Sequence, residues 1–114
     1  MLGRYKEAQF YYDKLPPDFW RRLTGEAIIA ARSRDSATVQ DKLTKLQQVY
    51  SDAASDQFAE IYAQLGDNDR AFAALDRGYV VKDPGLIGIR VDPFLDPIRS
   101  DPRLGALLRK MNFP

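Results

Sequence analysis

The chain has 114 residues and a formal net charge of +1, with 45% hydrophobic and 29% charged residues. This is the balance of one globular domain, and it excludes both a disordered chain and a global field that would steer the protein onto nucleic acid. Because the chain contains no cysteine and no histidine, disulfides, thiol chemistry and the usual general base at neutral pH are also excluded, and we expect no enzyme and no cofactor.

Apolar residues recur with helical spacing along the first two thirds of the chain. One predicted helix face, for example, carries Val39, Leu43, Leu46 and Tyr50. No stretch of useful length alternates as a strand does, so the predicted fold class is all-α. Helices are predicted at about residues 3–15, 17–32, 36–49, 52–65 and 68–82.

Prolines and small polar residues mark where these helices begin and end. Pro16 and Pro17 are predicted to end the first helix and to open the second, because proline is tolerated in a first turn. Gly66 suits a left-handed C-terminal cap. The predicted N-caps are Ser36 for the third helix, Ser51 or Asp52 for the fourth, and Asp67 or Asn68 for the fifth.

Asp-Pro pairs recur in the last third of the chain, at residues 83–84, 92–93, 96–97 and 101–102. An aspartate cap followed by proline starts a helix well. We therefore predict a short turn near residues 93–99 and a final capping helix over residues 102–112. Residues 83–91 are irregular and receive no assignment.

Two groups of acidic residues were considered as metal sites. Asp92, Asp96 and Asp101 could be imagined as Mg²⁺ ligands, but the adjacent prolines explain them as helix caps. The run that begins at Asp67 resembles the start of a calcium loop, yet it lacks the required glycine and glutamate. We therefore predict no metal site.

Three short stretches resemble one another and indicate an internal repeat. Gly3, Arg34 and Gly66 align at spacings of 31 and 32 residues, and each reads as a tight turn that feeds a helix. A small apolar residue follows each of them by five positions. These residues are Ala8, Val39 and Ala71.

These motifs resemble the tetratricopeptide repeat family. The third unit matches best, through Tyr62, Gly66, Ala71, Leu75 and Gly78, whereas the first unit keeps only its second helix and the middle unit has replaced the glycine and the alanine. Residues 91–103 are similar to the closing segment of many bacterial proteins of this class. The resemblance implies an α-α superhelix, a solenoid of about two and a half hairpins over residues 1–82, with residues 83–114 closing the same domain.

The resemblance also implies a function, namely the binding of a peptide or a partner protein. Family members line their groove with the first helix of each hairpin. Carried onto this chain, the groove would be basic at one end and acidic at the other, which favours a basic or helical peptide. The groove residues implied in this way are Arg21, Thr24, Ile28, Arg32, Asp56, Glu60 and Gln64.

The first helix, which carries Tyr5 and Tyr12, has lost its hairpin partner, so we expect either a fragment of a longer protein or self-association through this helix. Three hypotheses remain open: a partner-binding scaffold, a C-terminal regulatory or oligomerisation segment of a longer bacterial signalling or transcription-regulatory protein, and a helix-turn-helix-like nucleic-acid binder, which we favour least. No apolar run approaches the roughly 20 residues that span a bilayer. We therefore expect no membrane contact and a cytoplasmic location.

Overall fold

The computed structural model describes residues 2–111, and the side chains of residues 6–51 and 53–111. This part of the chain is all-α and contains no strand, so the predicted fold class is confirmed at that level. The α-helices are α1 (Leu2–Tyr12), α2 (Trp20–Arg32), α3 (Ser36–Tyr50), α4 (Ser55–Leu65), α5 (Asn68–Val81) and α6 (Pro102–Lys110). Short 3₁₀ helices lie at Ser51–Ala54, Pro84–Gly88 and Pro93–Ile98.

Two helical hairpins, α2 with α3 and α4 with α5, contain turns of the same conformation. Arg34 and Gly66, which the repeat alignment equates, are both left-handed, with φ angles of 59° and 79°. The N–H groups of the next residues, Asp35 and Asp67, donate to the carbonyl five residues earlier in each case, as in a Schellman cap. Two of the three predicted turns, those at Arg34 and Gly66, are thus present and have equivalent geometry. The third is not, because Gly3 lies in the first turn of α1.

The N-caps of the second helix in each hairpin are aspartates. Asp67 accepts the N–H of Arg70 at 3.2 Å, as predicted for α5. For α3 the predicted cap, Ser36, is wrong, because Asp35 accepts the N–H of Thr38 at 3.2 Å. The left-handed residue before each aspartate ends one helix and places the carboxylate at the start of the next.

The boundary between α1 and α2 differs from the prediction. α1 ends at Tyr12, and α2 begins only at Trp20, so Pro16 and Pro17 lie in the connection and do not open α2. The backbone N–H of Trp20, in the first turn of α2, donates to the hydroxyl of Tyr50 at 2.8 Å. A side chain 30 residues away in the sequence therefore helps to set where this helix begins.

The start of α4 is also set by a distant residue. The 3₁₀ helix Ser51–Ala54 replaces the predicted first turn, and no side chain of the preceding residue caps α4. The N–H of Asp56 donates instead to the carboxylate of Asp83, at 3.2 Å. Ser51 is therefore not the cap, and the side chain of Asp52, the other predicted cap, lies outside the described part of the chain.

Residues 83–98, which we call the closing segment, pack against α4. Asp83 and Asp92 begin its two 3₁₀ helices and accept backbone N–H groups at 2.9 Å, and Asp101 caps α6 in the same way. The predicted caps Asp92 and Asp101 and the predicted turn near residues 93–99 are confirmed, whereas the cap predicted at Asp96 is wrong, because this residue lies inside the second 3₁₀ helix. The predicted end of α6 at residue 112 lies outside the described residues.

The core has two parts that meet at α4. One part joins α2 and α3 to Ile61, and the other joins α4 and α5 to the closing segment and α6. Ala71 and Leu75 are fully buried in the second part, and Tyr62 packs against both parts. A Cβ atom on Gly78 would lie 3.1 Å from that of Ser55, so only a small residue lets α5 approach this closely.

Because α4 also packs against α2, the two hairpins lie side by side. On the remaining side of α2, α1 packs as a single helix, with Ala8 half-buried. The first helices of both hairpins therefore share one face of the molecule. Along that face, α1 stands at one end and the closing segment at the other.

Candidate functional site

A cavity of about 350 Å³ opens between α1, α2, α4 and the closing segment. We call it the aromatic groove. Four of the seven predicted groove residues line it, which are Arg21, Thr24, Ile28 and Glu60. The other lining residues are Tyr11, Tyr12, Trp20, Gly25 and Phe94.

The position of α1, which forms one wall of the groove, depends on Gly25. The ring of Tyr12 lies directly over this glycine, and a Cβ atom there would overlap the ring. Gln9 fixes the same contact from α1 by donating to Glu26 of α2 at 2.8 Å. Gly25 was not among the residues predicted from the sequence, although a glycine inside a helical pattern is a signal of close packing.

The polar groups of the groove differ in whether they can contact a ligand. Thr24 is buried, and its hydroxyl donates to the carbonyl of Trp20 at 2.7 Å. Arg21 is exposed, and its guanidinium lies 5.1 Å from the centre of the Trp20 ring. A cation held over an aromatic face next to a cavity can contact both an acidic and an apolar group of a ligand.

Gln64 and Arg32 connect elements of the protein to one another. Arg32 donates from Nε to the Gln64 side chain at 2.7 Å, and Gln64 donates from Nε2 to the carbonyl of Phe94 at 2.8 Å. The chain of contacts joins α2, α4 and the closing segment. These two predicted groove residues therefore engage neighbouring elements rather than lining the aromatic groove.

At the other end of the groove, the predicted acidic residues are covered. Asp56 and Glu60 are only 9% and 8% exposed, because the closing segment lies over this face of α4. Asp92 joins them, and one carboxylate oxygen from each of the three residues lies within 4.8 Å of the others. We call these three residues the carboxylate cluster.

The carboxylate cluster shares only Asp92 with the three aspartates that the sequence offers as possible Mg²⁺ ligands. Asp92 stands beside two residues of α4, whereas Asp96 and Asp101 face solvent-exposed arginines, Arg99 at 3.0 Å and Arg103 at 2.9 Å. The spacing of Asp56 and Glu60 places both on one face of α4. Their meeting with Asp92 depends on the path of residues 83–91, for which the sequence predicts no structure.

Burial dominates the electrostatics of the carboxylate cluster. Burial, a hydrogen bond with Asp92 and the negative charges of Asp56 and Asp92 raise the pKa of Glu60 to about 10. Burial and the charges of Asp92 and Asp83 raise the pKa of Asp56 to about 7. Oδ1 of Asp56 is enclosed, and no hydrogen-bond partner for it lies in the part of the chain that the structure describes.

A further cavity, of about 280 Å³, lies on another side of α4. Its floor is formed by the stacked rings of Phe58 and Tyr62, whose centres are 6.5 Å apart. Arg70 borders it, with its guanidinium 6.0 Å from the Tyr62 ring. The sequence analysis placed no site here.

Comparisons with protein-family models, curated proteins and solved structures found no match for this chain. In residues 2–111, none of the helices combines the length and the apolar character that crossing a membrane requires.

Proposed function

We propose that this chain is a non-catalytic interaction module of the tetratricopeptide type, a short solenoid of helical hairpins that binds a segment of a partner protein. The equivalent turns at Arg34 and Gly66, 32 residues apart, support this proposal. So does the arrangement of α2 beside α4, which puts the first helices of both hairpins on one face.

The observation that carries the proposal is the aromatic groove. It combines Tyr11, which is 48% exposed, with the half-buried rings of Tyr12 and Trp20 and the exposed Arg21. Tyrosine, tryptophan and arginine are the residue types that contribute most to binding at protein interfaces. A partner segment could therefore bury a large side chain between α1 and α2.

The charge of the proposed ligand follows from which groups stay exposed. A basic peptide would need Asp56 and Glu60, but both are buried beneath the closing segment. Arg21 is the charged residue at the open side of the groove. We therefore propose a segment with an aromatic or large aliphatic side chain next to an acidic one, in place of the basic peptide.

A selection from a random peptide display library tests this proposal. Peptides that pair an apolar with an acidic residue should be enriched, and Arg21→Glu should weaken their binding at least tenfold. Arg90→Glu is the matched control, because it makes the same charge change on an exposed side chain of the closing segment. No enrichment, or equal binding to the Arg21→Glu variant, would contradict the proposal.

A second candidate function rests on α1. Phe10 and Tyr11 are 65% and 48% exposed on this helix, which lacks a hairpin partner among residues 2–111. We propose as the alternative that this face docks against another copy of the chain or against another domain of the same chain. The chain would then be the regulatory or oligomerisation segment of a longer bacterial signalling or transcription-regulatory protein.

A further inference from the structure

The carboxylate cluster joins two parts of the chain that are distant in sequence. Asp56 and Glu60 belong to α4, and Asp92 precedes the 3₁₀ helix Pro93–Ile98 of the closing segment. We propose that these three side chains bind one divalent cation, with Ca²⁺ as the best-matched ion, and that the ion fastens the closing segment to α4. This inference does not depend on the proposed peptide binding.

The spacing of the oxygens allows all three to bind one cation. One oxygen from each side chain lies within 4.8 Å of the other two. Since Ca²⁺ binds oxygen at about 2.3–2.6 Å, two of its ligands can lie up to about 5 Å apart. Mg²⁺, with bonds of about 2.0–2.1 Å, demands a strict octahedral geometry, which three carboxylates from two separate elements meet less readily than the irregular coordination of Ca²⁺.

The side chain of Asp56 provides a second observation that points to a ligand. It is nine-tenths buried, and its Oδ1 atom is enclosed and has no hydrogen-bond partner among the described residues. A buried carboxylate oxygen without a partner is strongly unfavourable, and such atoms are rare in folded proteins. A cation held between Asp56, Glu60 and Asp92 would supply the missing interaction.

A further carboxylate from the closing segment adds negative charge beside the cluster. Asp83 lies next to Asp56, whose backbone N–H it accepts at 3.2 Å. The charges that act on Asp56 and Glu60 are those of neighbouring carboxylates. Such a group must take up either protons or a cation to remain buried, and a proton shared by Glu60 and Asp92 is the competing explanation.

An ion also has a route to the cluster. Glu60 lines the aromatic groove as well as the cluster, so water can reach the carboxylates from that cavity. Three protein oxygens leave several positions of a six- to eight-coordinate Ca²⁺ for water. A site of this kind should bind with a dissociation constant of about 10⁻⁴ M, in the range of weak calcium sites.

Thermal unfolding of the full chain in EDTA, CaCl₂ and MgCl₂ tests the site. At about 10 mM CaCl₂ we expect the Tm to rise by about 10 °C over its value in EDTA, with a smaller effect of Mg²⁺. Asp56→Asn and Glu60→Gln should abolish the rise. Asp41→Asn, which removes one exposed carboxylate from α3, should keep it.

Glu60→Gln separates the cation from the shared proton. Glutamine resembles the protonated glutamate, so this variant should be at least as stable as the wild type in EDTA and yet lose its response to Ca²⁺. Terbium luminescence gives a second readout, because Tyr12 and Trp20 line the same cavity as Glu60 and can sensitise a bound Tb³⁺ ion. The signal should appear in the wild type and disappear in Asp56→Asn.

Two results would overturn the proposal. One is a wild-type Tm that is the same in EDTA and in millimolar CaCl₂, with no terbium signal, which would leave proton sharing as the explanation. The other is a calcium response that persists undiminished in both Asp56→Asn and Glu60→Gln, which would place the ion elsewhere. Circular dichroism of each variant in EDTA checks that its helices are intact.

Discussion

At the scale of single residues, the two equivalent hairpin turns are built from different amino acids. Arg34 and Gly66 both have a positive φ angle, which costs a residue with a Cβ atom about 1–2 kcal/mol and costs glycine almost nothing. A Cβ atom on Gly66 would meet no atom within 4 Å. At Gly66, the backbone cost can therefore be measured without a packing effect.

We expect opposite changes in stability at these two turns. Arg34→Gly should stabilise the protein by about 0.5–1 kcal/mol, because strain in the folded backbone is relieved by more than the added freedom of the unfolded chain. Gly66→Ala should destabilise it by about 1 kcal/mol. Urea unfolding measures both, and a destabilised Arg34→Gly variant would show that the arginine side chain contributes more than its backbone costs.

The carboxylate cluster predicts an unusual dependence of stability on pH. Glu60 and Asp56 have pKa values in the folded protein, about 10 and about 7, above their ordinary values of 4.5 and 3.8. The folded state therefore binds more protons than the unfolded state. The resulting contribution to the free energy of unfolding is fully present below the pKa values of the unfolded state, and it is lost as the pH rises through the pKa values of the folded state. The charged and titratable groups around the cluster are Asp92 and Asp83 from the closing segment, Tyr12 from α1 and Arg21 from α2.

In EDTA, the Tm should therefore fall as the pH is raised from 5 to 9. Glu60→Gln should flatten this dependence, because glutamine stays neutral at every pH. A calorimetric series at fixed ionic strength measures the effect. A Tm that is constant or rising over this range in the wild type would show that both carboxylates ionise in the folded state without penalty.

At the scale of helices, the most extensive packing among the described residues lies between α4 and α5. Ala71 is fully buried in this contact, in the core part that joins α5 to α4 and the closing segment. Ala71→Leu should destabilise the protein by about 1–3 kcal/mol, because three added carbon atoms must force the helices apart. Ala73→Leu, at an exposed position of the same helix, should change the stability by less than about 0.5 kcal/mol. Equal denaturation midpoints for the two variants would contradict the hairpin packing.

The exposed apolar face of α1 is a candidate surface for self-association. Its exposed Phe10 and Tyr11 predict that the isolated chain self-associates. Phe10→Glu should convert the associated form to a monomer in sedimentation velocity experiments. Val91→Glu, at an even more exposed apolar residue of the closing segment, should leave association unchanged. A wild-type chain that is monomeric at all concentrations would instead favour an intramolecular or heterologous partner for α1.

At the scale of the whole molecule, charge separates the remaining hypotheses. The net charge of +1 gives no field that would collect phosphates over the surface. Several exposed arginines, such as Arg70, Arg99 and Arg103, also form ion pairs with aspartates. We therefore expect no retention on heparin at low salt, and retention that falls steeply with salt would revive the nucleic-acid hypothesis.

The sequence by itself determined the helical class, the positions of the hairpins and most of the turns. These features follow from local physics: the 3.6-residue apolar period, the conformational freedom of Gly66 and the capping chemistry of Asp67, Asp92 and Asp101 all act within a few residues. The predicted starts of α2 and α4 are wrong, because a residue distant in the sequence determines where each of these helices begins. Tyr50 binds the first turn of α2, and Asp83 binds the N-terminal end of α4.

The site was decided almost entirely by tertiary structure. The sequence placed Arg21, Ile28 and Glu60 on one face, but it could not show that the closing segment would bury Glu60 and Asp56 and bring Asp92 to them. Residues 83–91 have no periodicity of their own, so their path depends on fitting Leu86 and Ile89 into the core beside α4 and α5. Such long-range packing is a property of the assembled core, and no local pattern in the chain encodes it.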